Sequence, residues 1–509
     1  MSLSDSYSGR RFRGALLGFA VGRVLQALAT LGLILVSVRV LGRTDYGAYM
    51  VLWGIIDLAD LLTVAGLQSV VYQYLPRLVN SGTRRQRLRF VTAIVSVRAA
   101  SGAASALMLG WAWKTISAWF SLPIELAISI PVLLTILLTV QLGRLMADIL
   151  EAMLEQRDAQ ALRALHPLVR LVGMIALAIA GAASLATLLK LDLFVSVLTA
   201  GIGVRWLWRR LRALPAGPGV TIPAREIVGF GWRMAGAQLL VASGNQAAVR
   251  LLVGRVLGVE AAGAYAFLAQ VVFVVQRYLP SILLANMIRP MLVSRVARGQ
   301  FDEVGVGLGL LLKVNLCIVL GLTVATVIGG DAVLTLASAG VAAGQGFALS
   351  LLMLAILANA QVSVIDMALE VCGFAERVLL SCLLAPTVLL FAVIGGSEFG
   401  LVGIAAGVAA TAWLRCLLGA SLLRRATTRV KLRAFGMYRI VVASAALSAG
   451  GYVRATWTGD WVETIVAVSA FAALVITLRP LSHAELAMID LTFGQRVGRL
   501  LRRGMNERR

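Results

Sequence analysis

Ionisable residues stand inside otherwise apolar stretches of this chain, among them Arg23, Asp57, Asp60, Arg98, Arg170 and Arg233. A guanidinium offers planar paired donors that match a phosphate or carboxylate bidentately, so Arg23, Arg233 and Arg98 could hold an anionic diphosphate. Arg23 and Arg233 also lie near the ends of their stretches, where a long side chain can bury its stem and carry its charge to the headgroups; both readings stay open. Asp57 and Asp60 share one face of a helix and suit a cavity ion pair with Arg23 or Arg98 better than a proton or sodium coupling site. Asn245 and its neighbour Gln246 offer amides either to sugar hydroxyls or to a neighbouring helix. Each charge at bilayer depth costs about 2.5 to 3.5 kcal/mol, so several together imply that they face one another or a polar cavity.

Long apolar elements must carry these groups. The chain has 509 residues, 60% hydrophobic and 14% charged, with a mean hydropathy of +0.89, far above ordinary globular usage. Apolar runs recur over 15–38, 46–70, 90–113, 123–142, 165–181 and 185–204. A second series covers 227–253, 261–288, 304–329, 347–369, 378–396, 401–423, 440–452 and 462–478. Most match the length at which a helix crosses roughly 30 Å of hydrocarbon, and inside lipid only helices or closed barrels satisfy every backbone group. The pattern predicts an all-α polytopic membrane protein with about fourteen transmembrane helices.

The formal charge of +23 is concentrated in particular segments. Arginine clusters within 10–13, 77–87, 205–212, 289–298, 424–433 and 496–509 fall on one side if the helices alternate, and only scattered cations such as Arg43, Lys114 and Arg454 fall on the other. That asymmetry predicts a cytoplasmic location for both termini. Membrane lipids then account for the surplus charge, and no nucleic-acid partner is expected. The opening MSLSDSYSGRRFRG precedes a run too long for a signal-peptide core and shows no evident cleavage site, so helix one is expected to stay. Cys317, Cys372, Cys382 and Cys416 have no paired spacing, and His166 and His483 are far apart. Neither a disulfide framework, a metal site, a histidine-based catalytic centre nor a cofactor is expected. There is also no Walker-type phosphate loop for nucleotide hydrolysis.

The chain repeats itself. RVLGRTDYGAY at 39–49 returns as RVLGVEAAGAY at 255–265, between the first and second helix of each series. DILEAMLEQRDAQALRALHP at 148–167 resembles DMALEVCGFAERVLLSCLLAP at 366–386, and GFAVGR ending at Arg23 resembles GFGWR ending at Arg233. Three weak matches in one order point to a duplication. The predicted organisation is an N-lobe of helices 1–6 at 1–210, a Pro- and Gly-rich cytoplasmic linker at 211–226, and a C-lobe of helices 7–12 at 227–425. Helices 13 and 14 at 436–480 lie outside the repeat, and a basic cytoplasmic tail fills 481–509. An even helix number gives the two six-helix lobes the same orientation, as in parallel-repeat transporters with a midplane binding site. In the repeated hairpin, Gly42 and Gly258 suit positive φ, Gly47 and Gly263 permit close packing, and Tyr49 and Tyr265 are expected at the interface with water. A tight non-cytoplasmic turn explains the hairpin better than direct substrate contact. The second lobe places Phe273 and Gln276 where the first has Asp57 and Asp60.

VRVLGRTDYGAY, followed by a helix and GLQSVVYQYLP, resembles the N-terminal signature of bacterial polysaccharide and lipid-linked oligosaccharide flippases of the multidrug/oligosaccharidyl-lipid/polysaccharide exporter superfamily. The resemblance covers most of the chain. Ala262 departs from it where the first copy has Tyr46, and fourteen helices are more typical of the lipid II flippases than of O-antigen flippases. It implies a transporter rather than an enzyme, in the bacterial inner membrane. Such a transporter would move a polyprenyl-diphosphate-linked oligosaccharide to the outer leaflet for surface polysaccharide synthesis, by alternating access of two lobes around a cationic cavity. Partners would be that lipid-linked diphosphate saccharide, membrane lipids, and a polysaccharide polymerase or glycosyltransferases. A lipid II flippase or a cation/drug antiporter of the same superfamily remains an alternative, although Arg23 and Arg233 would repel cationic drugs. A membrane polymerase or ligase is disfavoured by the short non-cytoplasmic loops, such as GAAS and GGSEFG.

Overall fold

The computed structural model describes residues 9–478 apart from 65, 123–129, 154, 215–216, 221, 284–291, 293–294, 297, 427–429, 431–436 and 459, with side chains described only from Leu25 onward. Among the described residues the regular elements are all helices, joined by turns and short loops, without strands. The helices are α1 (Gly9–Val64), α2 (Leu67–Ser81), α3 (Arg84–Trp119), α4 (Ile130–Ala152), α5 (Gln156–Ile179), α6 (Leu185–Ala213), α7 (Ala224–Ser243) and α8 (Gln246–Val256). There follow α9 (Val259–Arg277), α10 (Pro280–Leu283), α11 (Phe301–Ala337), α12 (Gly346–Val371), α13 (Ala375–Cys382), α14 (Thr387–Ala426), α15 (Met437–Thr458) and α16 (Asp460–Leu478). Among the described residues nine helical stretches are long and apolar enough to cross a membrane. Two of these, α1 and α14, are each two helices meeting at a glycine with positive φ, Gly42 (φ 70°) and Gly400 (φ 59°). Counting those as pairs, α7 with α8 as one interrupted helix, and adding α15 and α16, the chain has about fourteen transmembrane helices.

Local sequence sets the boundaries. Thr83 and Gln86 form a capping box that starts α3, and Ser184 and Thr187 form another that starts α6, each satisfying N-terminal amides that would otherwise lack partners. Two apolar runs that read as single helices are broken. The run over 46–70 stops at Val64 and resumes at Leu67 after Gly66, whose φ of 78° a side chain would resist. The run over 227–253 stops at Ser243, and Asn245 restarts it by accepting the Ala247 amide at 3.2 Å.

The chain forms two compact units, Met1–Gly263 and Ala264–Arg509. The first unit has a core where Val71 and Leu75 of α2, Ile94 of α3, Met146 and Ile149 of α4, and Leu162 of α5 meet. It also includes α7 and α8. The second is built around α12, with Ala358, Val362 and Ile365 packed against Leu308 and Leu312 of α11 and Ala409 and Ala412 of α14. α15 and α16 lie on α11: a Cβ on Gly321 would touch Phe471 at 3.1 Å. The linker after α6 is tied down within the first unit. Gly217 and Gly219 amides donate to the Gly82 and Ser81 carbonyls at 3.1 and 2.8 Å, and the Gln86 side chain donates to the Val220 carbonyl at 2.9 Å.

Candidate functional site

Besides the pairing of Arg210 with Asp158 and Glu155, three clusters of charged groups stand out in the first unit. In the first, Asp57 and Asp60, one turn apart near the C-terminal end of α1, face α3 and α4. Arg144 of α4 spans both carboxylates, donating through Nη2 to Asp57 at 2.9 Å and through Nη1 to Asp60 at 2.7 Å. Asp60 also pairs with Arg98 of α3, whose Nη1 donates to the Thr63 hydroxyl at 2.6 Å and the Asp60 carbonyl at 3.2 Å. Exposure separates the two arginines. The Arg98 side chain is 2% exposed, whereas that of Arg144 is 46% exposed. A substrate contact was expected at Arg98; its guanidinium is instead enclosed and holds Asp60 and Thr63 in place. Arg144 remains reachable.

The second cluster surrounds Asp192 of α6, which is 1% exposed. Its carboxylate pairs with Arg170 Nε of α5 at 2.6 Å and accepts from the Tyr49 hydroxyl at 2.8 Å and the Trp53 indole at 3.0 Å. Arg170 also donates to the Tyr49 hydroxyl and stacks over the Trp53 ring, 4.3 Å from its centroid, a favourable cation–π geometry. This corrects the expectation that Tyr49 and Tyr265 face water: both are buried, at 1% and 2% exposure. For Tyr49 the reason is that a buried carboxylate needs donors, and its phenol supplies one. Tyr265 points into the interior along with its buried neighbours Ala264, Ala266 and Phe267.

The third cluster joins α2, α4 and α5 through the repeated motif at 148–167. Arg163 pairs with Asp148 at 2.7 Å and Glu151 at 2.5 Å, Gln68 donates to Asp148 at 3.2 Å, and Tyr72 donates to Glu151 at 3.0 Å. In the second unit the matching Asp366 pairs with Arg415 at 3.0 Å.

Other residues singled out by sequence do not join these clusters. Arg233 is exposed on α7 and donates to the Gly229 carbonyl at 3.1 Å. Asn245 is exposed with its side-chain oxygen capping α8. The side chain of Arg23 lies outside the described residues. Gly42 and Gly258 both have positive φ, 70° and 90°. Gly47 and Gly263 lie against each other: a Cβ on Gly263 would stand 2.9 Å from Gly47 Cα, and one on Gly47 would overlap the Val259 carbonyl. Sequence reasoning passed over Arg144, Arg163 and Asp192, and also Arg250 of α8, which is buried and donates to the Met50 carbonyl at 3.3 Å. The signal was present for Asp192 and Arg250, since both are charges inside apolar runs.

A family model described as polysaccharide biosynthesis protein matches residues 36–334. No curated protein matches the chain in sequence. Among solved structures the chain is similar to the lipid II flippase MurJ in an inward-closed conformation, with a TM-score of 0.68 at 11% identity over 90% of this chain and 98% of that one. It is similar to an inward-facing multidrug resistance MATE family transporter of the MOP superfamily, with a TM-score of 0.60 at 13% identity over 81% and 98% of the two chains. A MOP superfamily transporter from Pyrococcus furiosus matches with a TM-score of 0.51 at 16% identity over 82% of this chain and 95% of that one. The fold is that of this transporter superfamily, in a multi-pass membrane protein.

Proposed function

The chain belongs to the polysaccharide biosynthesis protein family, and on that premise we propose that it is a flippase carrying a polyprenyl-diphosphate-linked oligosaccharide from the cytoplasmic to the outer leaflet of a bacterial inner membrane. Both termini are cytoplasmic in this reading. The observation that carries it is the half-exposed Arg144 held between Asp57 and Asp60. The two carboxylates balance Arg144 and Arg98, which limits the cost of keeping charge in the membrane. An arriving diphosphate presents the same paired oxygens as the two carboxylates and competes for the same guanidinium fork. Arg98, enclosed against Asp60 and Thr63, keeps Asp60 in place while Arg144 changes partner. Arg23 and Arg233, on the first helix of each repeat, add positive charge along the route.

The two repeats then serve as lobes, 1–210 and 227–425, that expose the headgroup alternately to either side while the polyprenyl tail stays in lipid. Moving negative charge outward across an inside-negative membrane is favourable by about 2.3 kcal/mol per charge per 100 mV, so the potential alone can bias export. Glycosyltransferases upstream and a polymerase downstream are the partners this step requires. The pairing of Asp57 and Asp60 with arginines argues against a cationic drug as cargo, because a cation would have to displace two guanidinium groups.

The experiment is to deplete the protein and measure the amount and leaflet of lipid-diphosphate-linked saccharides, with rescue by wild type, Arg144→Gln, and the pair Arg23→Ala, Arg233→Ala. Accumulation in the cytoplasmic leaflet that wild type relieves and Arg144→Gln does not is the expected result. Unchanged precursor, or precursor stalled in the outer leaflet, would overturn the reading.

A further inference from the structure

The first turns of α3 carry arginine at 84, 85, 87 and 89. Arg87 is buried with Val91, Ile94 and Arg98, the inward face of the helix. Arg84, Arg85 and Arg89 are exposed and meet no carboxylate among the described residues, whereas Arg98, Arg144, Arg163, Arg170 and Arg210 of the same unit each do. Thr92 and Ser96 follow Arg85 and Arg89 at spacings of three and four, so the four side chains share one face of α3. Together with Arg84 and Ala93 they border a broad, open hollow of about 740 Å³.

The two hydroxyls behave unlike their neighbours. Lipid offers a hydroxyl no water, so it ordinarily bonds back to a carbonyl one turn earlier. Thr30, Ser37, Thr63, Ser101, Thr135 and Thr139 all do so. Thr92 and Ser96 are exposed, and neither hydroxyl has a partner among the described residues. Beyond Ser96 the same face continues through Ala100, Ala103, Leu107 and Trp111, all exposed, with Leu107 at 75% and Trp111 at 88%. From one end to the other the face therefore runs from unpaired cations through free hydroxyls to apolar surface. A rise of 1.5 Å per residue sets Thr92 about 5 Å beyond Arg89, about the depth of one headgroup region.

We infer that this face of α3 is a binding site for one anionic phospholipid of the bilayer, with its phosphate on Arg85 and Arg89, its glycerol and ester oxygens on the hydroxyls of Thr92 and Ser96, and an acyl chain along Ala100, Ala103 and Leu107. The inference rests on α3 crossing the membrane and not on the nature of the cargo. A soluble anion would use the arginines and leave the hydroxyls and the apolar continuation without a role. A zwitterionic lipid would leave the surplus of positive charge uncompensated. A lipid-linked diphosphate shares the head chemistry, but this face lies on the side of α3 opposite Arg98, away from the Asp57–Arg144 link assigned to the cargo. Paired guanidinium donors hold a phosphate bidentately, and the hydroxyls add the only uncharged donors at the depth of the esters.

The test is native mass spectrometry of the full-length protein, delipidated in detergent and titrated with phosphatidylglycerol, phosphatidylethanolamine or undecaprenyl phosphate. Phosphatidylglycerol is expected to bind most tightly, as a single saturable adduct. Arg85→Gln with Arg89→Gln should weaken it by about thirtyfold, the effect of two cations close to an anionic surface. The control is Arg205→Gln with Arg209→Gln. These two exposed arginines have the same spacing on α6, but their face enters the membrane through Gly201 and Val197, without a hydroxyl; the control should stay within about twofold of wild type. Thr92→Val with Ser96→Ala keeps every charge, and with it the membrane topology, and should weaken binding by about three- to tenfold. It also stands in if the arginine pair does not insert. Equal losses in the two arginine pairs would reduce the attraction to diffuse charge and overturn the site, as would unchanged affinity in the hydroxyl variant. Phosphatidylethanolamine binding as tightly as phosphatidylglycerol, or undecaprenyl phosphate binding more tightly than either, would overturn the assignment of the occupant.

Discussion

Asp192 and Arg170 should behave as one unit, and a double-mutant cycle measures how strongly. Asp192 is held by Arg170 at 2.6 Å, Tyr49 at 2.8 Å and Trp53 at 3.0 Å, all in a region closed to solvent. Removing one partner of a buried pair leaves an uncompensated charge, at a cost of about 3 to 5 kcal/mol. Asp192→Asn leaves Arg170 in that state, and Arg170→Met leaves Asp192 there, softened by the phenol and indole that still donate to it. Arg170→Met should therefore cost less than Asp192→Asn, about 2 to 3 kcal/mol, because hydrogen bonds to a charged group are worth about 1.5 to 3 kcal/mol each. The double variant leaves no buried charge, only donors with a weaker acceptor. It should be more stable than the sum of the single changes by about 2 kcal/mol, within the range for residues in direct contact. The assay is reversible SDS unfolding of the purified protein, or a ranking of inactivation half-lives in detergent where unfolding is irreversible. Additive effects, with a coupling below about 0.5 kcal/mol, would refute the idea that this pair is a single buried element.

Gln141 is 1% exposed and neither its side-chain oxygen nor its nitrogen has a partner among the described residues. Gln141→Leu should therefore be neutral or stabilising by about 1 kcal/mol in the same unfolding assay, and a loss above 2 kcal/mol would mean that the amide is satisfied. Gln86→Ala removes the side chain that holds both the Val220 carbonyl and the Thr83 amide, so trypsin should cut beside the linker, after Arg212 or Arg225, several-fold faster in inverted vesicles. Asp57→Asn frees one arm of Arg144 and should tighten binding of undecaprenyl diphosphate by about tenfold, one charge-assisted hydrogen bond, while slowing turnover; native mass spectrometry reads the first and leaflet distribution the second. Gly42→Ala forces a side chain into φ 70° and should destabilise the first unit by about 1 to 2 kcal/mol in thermal inactivation.

Much of the helical architecture was legible in one dimension because bilayer thickness fixes the length of apolar runs. The breaks were less legible. Gly66 and the Gly244–Asn245 pair sit inside runs whose hydropathy does not fall, and only the backbone conformation or the capping bond reveals the interruption. The repeat located the hairpin glycines, since a corner between two helices needs positive φ in both copies. It misplaced Tyr49: an aromatic next to a turn normally marks the membrane interface, but here the residue turns inward to a carboxylate more than a hundred positions away. Arg144 escaped because the apolar run ends at 142, which made the residue look like the start of a loop. α4 continues to Ala152, and Arg144 lies well within it. Asp57 and Asp60 were visible as costly charges, yet which arginine meets each depends on helix rotation and depth, which spacing along one chain does not encode.

The clusters of the first unit constrain what can move inside it. Asp192 with Arg170, and Asp148 and Glu151 with Arg163, are closed sets on helices that also form the core, so separating them would expose buried charge. Asp60 with Arg98 is closed in the same sense. Arg144 differs: it is substantially exposed and bridges two carboxylates from one side, so another pair of anionic oxygens can replace them without unburying anything. Asp60 keeps Arg98 when Arg144 leaves, and Asp57, 31% exposed, can be solvated. The charged network thus has a rigid part that fixes helices three to six and one replaceable link on α4. An anion engaging that link would loosen α1 from α4 close to where the second helix breaks at Gly66.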